Sequence, residues 1–298
     1  MLTLEGVSKT YRVGAFGGKR LRAVEGVSFA VEPGQVVSLI GESGSGKSTI
    51  GRMILRLLPA TSGAIRFDDT EVSGLGRAPL KEYYRSVQGV FQDPFSSYNP
   101  MFRVDRVFSM IRGAYFGGTS DRDWRERVES ALDAVRLDPG HVLGKYPHQL
   151  SGGQLQRLLI ARALTLDVRM LVADEIISML DASTRIDVLN LLGALKARGL
   201  GVLFITHDLS LGNYISDRTV ILYQGTVVEM GETTKVFANP QHPYTKMLIS
   251  SVPHLHEKWQ QDAAGDAWRT AESHRVRSGE APQLIEFEPG HYVALANS

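Results

Sequence analysis

Hydrophobic and polar positions along the chain alternate between short apolar runs and longer stretches with helical spacing. Runs rich in Val, Ile, Leu and Phe at 36–40, 170–173 and 202–206 are typical of buried strands. Weaker strand patterns next to turn residues occupy positions 3–7, 24–29 and 62–67. A chain that mixes such runs with helices is predicted to have an α/β fold.

Helical spacing follows several of these runs. After Lys47, Ile50, Ile54, Leu57 and Leu58 define one apolar face and predict a helix that ends before Pro59. Further helices are predicted at 124–135 and 154–165. Another starts near Ser183 and ends at Gly199. Its residues expected to face the core are Ile186, Leu189, Leu192 and Leu195.

The order of these patterns predicts the organisation of the chain. Residues 1–252 form the main domain, with a helical insertion at about 96–165, and two runs at 220–223 and 226–228 indicate a hairpin. From residue 253 polar residues dominate, so 253–298 is predicted to be a C-terminal extension, whose role the sequence does not indicate.

Composition excludes several classes of protein. The 298 residues include 33 basic and 32 acidic side chains, a balance that does not favour a nucleic-acid surface. The absence of cysteine excludes disulfides and thiolate metal sites. No apolar run is long enough to span a bilayer and the start lacks a signal-peptide pattern, so we expect any membrane role to depend on a partner.

The run at 36–40 leads into a glycine-rich loop that matches G-x-x-x-x-G-K-[ST] over residues 41–48. Backbone N–H groups of such a loop ring a phosphate chain, and the following helix adds its positive N-terminus. Lys47 is expected to neutralise the β and γ phosphates, and Ser48 to bind Mg²⁺. The loop therefore predicts a site for a nucleoside triphosphate.

Polar residues follow three other predicted strands. Asp174 and Glu175 end the run at 170–173; Asp174 is expected to bind Mg²⁺ and Glu175 to deprotonate the attacking water. His207 follows 202–206 and is expected to contact the γ phosphate. Gln92, after Val90-Phe91, is suited to the Mg²⁺ shell or the water. Because ligands bind at the carboxyl ends of strands in α/β sheets, these residues are predicted to serve one ATP site.

Together with Leu150-Ser151-Gly152-Gly153-Gln154 and Asp181, these motifs resemble the ATP-binding cassette (ABC) ATPases in kind and order. The resemblance covers about residues 1–250. It implies an α/β P-loop NTPase core with a mostly parallel sheet, an N-terminal antiparallel β subdomain and an α-helical subdomain. It also implies that ATP and Mg²⁺ are the cofactors.

The resemblance further implies that two subunits sandwich two ATP molecules head to tail, with the helix starting near Gln154 directed at the γ phosphate. Catalysis is expected to use Lys47, Gln92, Glu175 and His207, and Mg²⁺ to be bound by Ser48, Gln92 and Asp174. The nucleotide is expected to contact Tyr11, Gly41, Glu42, Ser43, Gly44, Ser45, Gly46, Lys47, Ser48, Thr49, Ser151, Gly152, Gly153, Gln154 and Asp181. In this scheme Tyr11 stacks on adenine, Ser151, Gly152 and Gly153 cap the partner's nucleotide, and Asp181 crosses the interface.

A narrower resemblance, to the oligopeptide/dipeptide importer ATPases of bacteria, rests on residues 93–100 and 239–245. It implies a related or identical ATPase partner, two membrane permease subunits, an extracytoplasmic binding protein and a place at the cytoplasmic face of the membrane. Residues 93–101 are expected to lie beside the groove for a permease helix. The transported solute stays open, with oligosaccharides or another solute as alternatives to peptides.

Two other functions would use the same motifs. A soluble cassette ATPase acting on DNA or ribosomes is disfavoured by the single cassette and the balanced charge. A regulatory module that binds ATP without hydrolysing it is disfavoured by the presence of Glu175 and His207.

Within the family pattern, the chain departs at Ile176-Ile177, where Pro and Thr are common, and at Met179, where Ala is usual. The isoleucines are expected to alter how the loop before Asp181 is held.

Overall fold

The structure, a computed structural model, describes residues 1–13, 18–251 and 283–294. Its strands are β1 (Leu2–Val13), β2 (Lys19–Val31), β3 (Val36–Ile40), β4 (Ser62–Phe67), β5 (Thr70–Glu71), β6 (Val87–Val90), β7 (Met170–Asp174), β8 (Gly201–Thr206), β9 (Arg218–Tyr223), β10 (Thr226–Glu232), β11 (Leu284–Glu288) and β12 (His291–Ala294). Its α-helices are α1 (Lys47–Ile54), α2 (Arg77–Ser86), α3 (Asp105–Tyr115), α4 (Asp121–Ala134), α5 (Pro139–Val142), α6 (Gly152–Leu164), α7 (Ala182–Lys196), α8 (Leu209–Ile215), α9 (Thr233–Ala238) and α10 (Pro243–Ser250). A short 3₁₀ helix spans Pro147–Gln149.

The chain divides into two compact units, which are described separately. The first contains residues 1–75 and 203–298, and the second contains residues 76–202. In the first unit, β2, β1, β4 and β5 lie side by side in an antiparallel sheet. This sheet confirms the predicted N-terminal antiparallel subdomain.

A second sheet of the first unit has the order β11, β12, β10, β9, β3, β8. β3 and β9 are parallel, whereas β9, β10, β12 and β11 pair antiparallel. Gln224 and Gly225 form the two-residue turn between β9 and β10, both with positive φ, as the predicted hairpin requires. The sheet is therefore mixed, and the α/β fold class is confirmed.

The last two strands come from the segment that the sequence predicts only as an extension. β11 and β12 form a hairpin, and β12 pairs with β10 through Glu229–Val293 and Gly231–His291. Residues 253–282 and 295–298 of the predicted extension lie outside the described residues. The part that is described completes a sheet of the first unit.

The second unit combines the parallel pair β6 and β7 with most of the helices. α4 and α6 pack on each other, and their buried faces include Val128, Leu132, Leu155 and Leu158. α6 is buried on several sides, and most of its residues after the first turn are apolar, with Gln156, Arg157 and Arg162 as the polar exceptions.

The predicted helices are present, but their bounds or buried faces differ in detail from the prediction. α1 ends at Ile54, because Arg56 adopts a left-handed conformation (φ 55°) and the N–H groups of Leu57 and Leu58 donate to the Arg52 carbonyl. Leu57 is consequently exposed and does not extend the buried face.

α6 begins at Gly152, two residues before the predicted start, because Ser151 caps it. In α7 the predicted core residues Leu189, Leu192 and Leu195 are buried, but Ile186 is 40% exposed. Val188 and Leu191 are buried instead, so the inner face of α7 is rotated from the predicted one. In the described ranges, no helix combines the length and apolar character needed to cross a bilayer.

Candidate functional site

The glycine-rich loop lies in the first unit, between a buried strand and a helix. All five residues of β3 are buried, and α1 starts at Lys47 immediately after the loop. Gly46 has φ 105°, and a Cβ atom there would lie 2.4 Å from the Ala23 carbonyl oxygen. A larger residue would therefore clash with backbone and strain the turn, so this position requires glycine.

Backbone hydrogen bonds fix the loop at several points. Ser45 N–H donates to the Glu42 carbonyl at 3.2 Å, and Gly225 N–H donates to the Ser45 carbonyl at 2.9 Å. Glu42 N–H donates to the hydroxyl of Tyr244 at 3.0 Å. The loop is thus held by the β9–β10 turn and by α10 of the same unit.

Lys47 is folded back over this loop. Its side chain is almost completely buried, and Nζ donates to the carbonyl oxygens of Gly41 at 2.7 Å and Glu42 at 2.8 Å. The ammonium group is therefore held within the turn that the sequence predicts to surround phosphate.

The start of α1 has the properties of an anion site. Among the described residues no side chain caps α1 at Gly46, and the first turn of α1 contains no acidic residue, as is typical of helix starts that bind anions. The hydroxyl of Ser45 is buried without a hydrogen-bond partner among the described residues. Ser48 and Thr49 follow in the first turn, partly exposed. These donors fit the phosphate groups of a nucleotide.

Of the other two predicted residues of the first unit, His207 directly follows a strand and Tyr11 lies within one. His207 is exposed at the carboxyl end of β8, and Asp208 caps α8, which packs on Ile40 through Gly212. Tyr11 lies in β1 opposite Leu21, partly exposed, with Lys9 Nζ 5.4 Å from its ring centre.

In the second unit, two strand ends carry the predicted carboxylates and amide. β6 and β7 are parallel with Val90 opposite Ala173, so Gln92 and Glu175 each follow this pair by two positions. Asp174 is the last residue of β7 and is buried, whereas Gln92 is exposed. The structure therefore places these three residues at the same edge of the β6–β7 pair.

Glu175 has a conformation that is rare for a non-glycine residue. Its φ is 51°, and its carbonyl accepts hydrogen bonds from Ser178 N–H at 3.2 Å and Ser178 Oγ at 2.9 Å. Arg185 closes the turn by donating to the carbonyls of Leu180 at 2.7 Å and Ser178 at 3.2 Å. Left-handed backbone of this kind is often found at functional sites.

The two isoleucines after Glu175 are part of the core. Ile176 and Ile177 are buried, whereas Met179 is 62% exposed. The apolar pair thus anchors one side of the turn, and the larger Met179 side chain points into solvent.

The signature segment forms the start of α6. Gln154 N–H donates to Ser151 Oγ at 3.2 Å, and Ser151 N–H donates to Gln154 Oε1 at 2.8 Å. This reciprocal capping box satisfies two of the N-terminal backbone donors. The Gln154 side chain is thus used to build the helix start.

Close packing connects this helix start to α7. A Cβ atom on Gly153 would lie 2.5 Å from Thr184 Cγ2, and Thr184 donates to Asp181 through both N–H (2.9 Å) and Oγ1 (2.7 Å). Asp181 caps α7 and also accepts from Ser183 Oγ at 2.6 Å. Hydrogen bonds from Ser183 and Thr184 hold the pKa of the Asp181 carboxyl well below its usual range.

The segment after Gln92 is a hydrogen-bonded turn. Asp93 accepts from Phe95 N–H at 2.9 Å through its side chain and from Ser96 and Ser97 through its carbonyl. Phe95 and Met101 are exposed apolar residues on this segment.

The structure therefore gathers the predicted residues in two groups, each within one unit. The first consists of residues 41–49 and His207, with Tyr11 on the antiparallel sheet. The second consists of Gln92, residues 151–154, Asp174, Glu175 and Asp181. Tyr244 and Arg185, which hold the loop and the turn after Glu175, were not predicted as site residues. Tyr244 lies in the segment 239–245 that the sequence singled out, but its contact with the loop had no signal in the sequence.

Metal-binding groups of side chains are the last feature of the site. Within the described ranges, no three His, Asp or Glu side chains are grouped in a way that could hold a metal ion. Ser48 in the first unit and Asp174 in the second each carry an oxygen of the kind that Mg²⁺ prefers.

Comparison with known proteins identifies two matching family models and several relatives. The model of the ABC transporter family matches residues 24–178, and that of the oligopeptide/dipeptide transporter C-terminal region matches residues 228–279. A putative peptide import ATP-binding protein of Brucella ovis is 39% identical over 99% of this chain and 96% of its own length. The oligopeptide transport ATP-binding protein OppF of Bacillus subtilis is 39% identical over 92% of this chain and 90% of its own length.

Among solved structures, a dimeric post-hydrolysis state of an ATP-binding cassette bound to ADP and Pi is similar, with a TM-score of 0.69. It is 30% identical and covers 78% of this chain and 99% of the solved chain. The family models and the relatives at 39% identity decide the assignment. The chain belongs to the ATP-binding subunits of the ABC transporter family and is a nucleotide-binding ATPase.

Proposed function

We propose that this ATPase drives the import of oligopeptides or dipeptides across a bacterial membrane. The observation that carries the proposal is the match of residues 228–279 to the C-terminal region of oligopeptide/dipeptide transporters. That region contains the His-Pro-Tyr segment at 242–244, which packs in the same unit as the glycine-rich loop.

The proposed role of the first group of residues is to bind ATP. The loop N–H groups and the start of α1 hold the phosphates, Lys47 neutralises the β and γ phosphates, and Tyr11 stacks on adenine. Lys47 is already ordered by the carbonyls of Gly41 and Glu42, so little side-chain freedom is lost on binding.

The proposed role of the polar strand-end residues is to hydrolyse that ATP. Glu175 accepts a proton from the attacking water, and Gln92 and His207 orient this water. Ser48, Gln92 and Asp174 hold Mg²⁺. When bound, the ion supplies charge that stabilises the phosphate oxygens in the transition state.

The proposed active assembly is a head-to-tail cassette dimer, with a second copy or a related subunit as the partner. Ser151, Gly152 and Gly153 contact the nucleotide bound to the opposite subunit, and Asp181 lies at the interface. The solved ATP-binding cassette that is similar to this chain is dimeric. Ser151 and Asp181 are exposed and Gly152 is partly exposed, which leaves them accessible to a partner, whereas Gly153 is buried.

We also propose that two permease subunits and an extracytoplasmic binding protein complete the importer. The ATPase then lies at the cytoplasmic face of the membrane, held by the permease subunits. Phe95 and Met101 on the turn after Gln92 present exposed apolar surface for a permease helix.

The first experiment tests the assigned base. In Glu175→Gln the carboxylate is replaced by an amide that does not accept the proton, so ATP hydrolysis is expected to fall at least about 100-fold. The dissociation constant for ATP is expected to stay within about twofold, because the loop residues are unchanged. Hydrolysis is measured by phosphate release and binding by a fluorescent ATP analogue.

The matched control is Glu129→Gln, which makes the same change on the exposed face of α4. It is expected to hydrolyse ATP like the parent. If Glu175→Gln hydrolyses ATP as fast as Glu129→Gln, Glu175 is not the base.

The second experiment tests the solute. The chain is purified with its permease subunits in nanodiscs, together with the binding protein, and peptides of two to eight residues and oligosaccharides are added separately. Peptides are expected to raise ATP hydrolysis, whereas stimulation by oligosaccharides alone would contradict peptide import.

A further inference from the structure

One hydrogen bond joins the glycine-rich loop to a residue 202 positions away along the chain. The Glu42 N–H donates to the hydroxyl of Tyr244 at 3.0 Å. Tyr244 is fully buried in the first turn of α10. The loop therefore depends on a side chain from the C-terminal region of the same unit.

The ring of Tyr244 is fixed by its surroundings. Its centre lies 4.4 Å from the ring centre of Tyr223, and both rings pack in an apolar cluster with Ile40, the last residue before the loop. Ala294 of the terminal hairpin belongs to the same cluster. A ring held in this way positions its hydroxyl with little freedom.

The backbone around Tyr244 is fixed as well. Tyr244 N–H donates to Nδ1 of the buried His242 at 3.1 Å, and Pro243 pre-orders the first turn of the helix. His242 N–H and Gln241 N–H donate to the two oxygens of Glu229 at 2.9 and 2.8 Å. Glu229 also contacts His291 Nε2 of β12 at 2.7 Å, and both side chains are fully buried.

Glu42 is held from both sides of its backbone. Its N–H group is bound by Tyr244, and its carbonyl accepts hydrogen bonds from Lys47 Nζ at 2.8 Å and Ser45 N–H at 3.2 Å. A shift of Glu42 would therefore move Lys47, the residue expected to contact the phosphates. The Tyr244 hydroxyl therefore holds Glu42, the residue to which Lys47 Nζ is bonded.

We infer that Tyr244 is a positioning residue for nucleotide binding, which holds the glycine-rich loop in its phosphate-binding conformation through Glu42. Through His242, Glu229 and His291, the same network connects the terminal hairpin to that loop. The inference rests on the proposed role of the loop, and it assigns the His-Pro-Tyr segment a function within the ATPase itself. Pre-ordering of the loop lowers the entropy lost when phosphate binds.

The test is Tyr244→Phe, which keeps the ring and removes the hydroxyl. The dissociation constants for ATP and ADP are expected to rise about fivefold, the change that the loss of one net hydrogen bond of about 1 kcal/mol produces. In steady-state hydrolysis, KM for ATP is expected to rise while kcat stays within about twofold. A merely structural role for the hydroxyl would lower the melting temperature without this separation of KM from kcat.

Thr245→Val is the matched control, because it also removes a buried hydroxyl from the first turn of α10. The Thr245 hydroxyl has no hydrogen-bond partner among the described residues, so nucleotide binding is expected to stay at the parent value. The inference is overturned if Tyr244→Phe binds ATP like the parent, or if Thr245→Val weakens binding equally.

Lys47→Ala separates this inference from the proposed role of the loop. It is expected to abolish detectable ATP binding. If it binds ATP normally, the loop is not the phosphate site, and both ideas fail. If Lys47→Ala fails to bind while Tyr244→Phe binds normally, only the role of Tyr244 is wrong.

Discussion

At the scale of single residues, the candidate site is held mainly by backbone groups that specific side chains satisfy. Asp181 satisfies the N–H of Thr184, and Arg185 satisfies the carbonyls of Leu180 and Ser178. Such contacts fix the turn after Glu175 without touching a reacting group. They also create a dependence on pH that can be measured.

Asp181→Asn tests this dependence. The folded-state pKa of Asp181 is lowered, so its contribution to stability is complete above the ordinary carboxyl range near pH 4 and is lost as pH falls below it. Asn still offers an oxygen to the Thr184 N–H but does not titrate. The difference in melting temperature between parent and variant is therefore expected to be largest above about pH 5 and to narrow toward pH 3.

Thermal unfolding between pH 7 and pH 3 measures this difference. Asp187→Asn reports the effect of removing one carboxylate from the exposed face of the same helix. If the difference in melting temperature between the parent and Asp181→Asn widens as the pH is lowered, the interpretation is contradicted.

Residues that belong to a motif were predictable because their spacing along the chain is itself the signal. The loop at 41–48 and the carboxylates at 174–175 lie where the sequence predicts, at strand ends. Tyr244 could not be predicted in this way, since its partner Glu42 is remote in sequence and the contact uses a backbone N–H. Contacts of this kind depend on tertiary packing, which local patterns do not encode.

At the scale of secondary-structure elements, two helix starts are packed against each other. Gly153 in the first turn of α6 contacts Thr184 in the first turn of α7, and Thr184 is bonded to Asp181. The absence of a side chain at Gly153 lets the two helices approach. This contact links the signature segment to the turn that follows Glu175.

Gly153→Ala is expected to disturb that contact. The added methyl would overlap Thr184, so Thr184 must move and its bonds to Asp181 weaken. A loss of about 1–3 kcal/mol in stability is expected from overpacking, with at least a tenfold loss of ATP hydrolysis. Thermal unfolding and phosphate release measure the two effects.

Gly193→Ala in α7 is the control. A Cβ atom there would meet nothing within 4 Å, and the residue lies inside the helix. It is expected to raise stability by about 0.4–1 kcal/mol and to leave hydrolysis unchanged. If Gly153→Ala behaves like Gly193→Ala, the contact with Thr184 has no functional role.

Strands were predictable where a short run is apolar on both faces. The runs at 36–40 and 202–206 became strands whose residues are all buried, because a strand covered on both faces needs no polar alternation. The predicted end of α1 was wrong. The apolar spacing continues to Leu58, but the left-handed conformation of Arg56 stops the helix at Ile54. The hairpin of β11 and β12 was missed because Glu286 and Glu288 interrupt its short apolar pattern.

At the scale of the whole molecule, the proposed dimer assigns the glycine-rich loop and Ser151 to two different nucleotides. In that proposal the loop binds the subunit's own nucleotide, whereas Ser151 contacts the nucleotide of the opposite subunit. The proposed contact of Ser151 with the opposite nucleotide can be removed without damage to the fold. Ser151 also caps α6, and an aspartate at this position caps the helix as well.

Ser151→Asp is expected to separate ATP binding by a subunit's own loop from contact with the nucleotide of the opposite subunit. The carboxylate caps α6 but repels the triphosphate on the opposite subunit, so hydrolysis by the assembled ATPase is expected to fall at least tenfold. In a Glu175→Gln background the ATP-dependent dimer, measured by light scattering, is expected to disappear. ATP binding by the single chain is expected to persist.

Ser120→Asp provides a closely matched control. Ser120 caps α4 with the same geometry, accepting an N–H at 3.2 Å, as Ser151 does in α6. It is expected to leave hydrolysis and dimer formation intact. Equal losses in both variants would mean that the added charge acts through the fold and not through a partner's nucleotide.

The division of the chain into units has a consequence for its synthesis. The glycine-rich loop is made early, but Tyr244, which receives its Glu42 N–H, follows 202 residues later. At about 5–20 residues per second, a ribosome needs roughly 10–40 seconds to add them. The second unit, residues 76–202, is contiguous, and its synthesis is complete before Tyr244 is added. The nascent chain is thus expected to fold its signature helix first and to acquire a stable phosphate loop only near the end of translation.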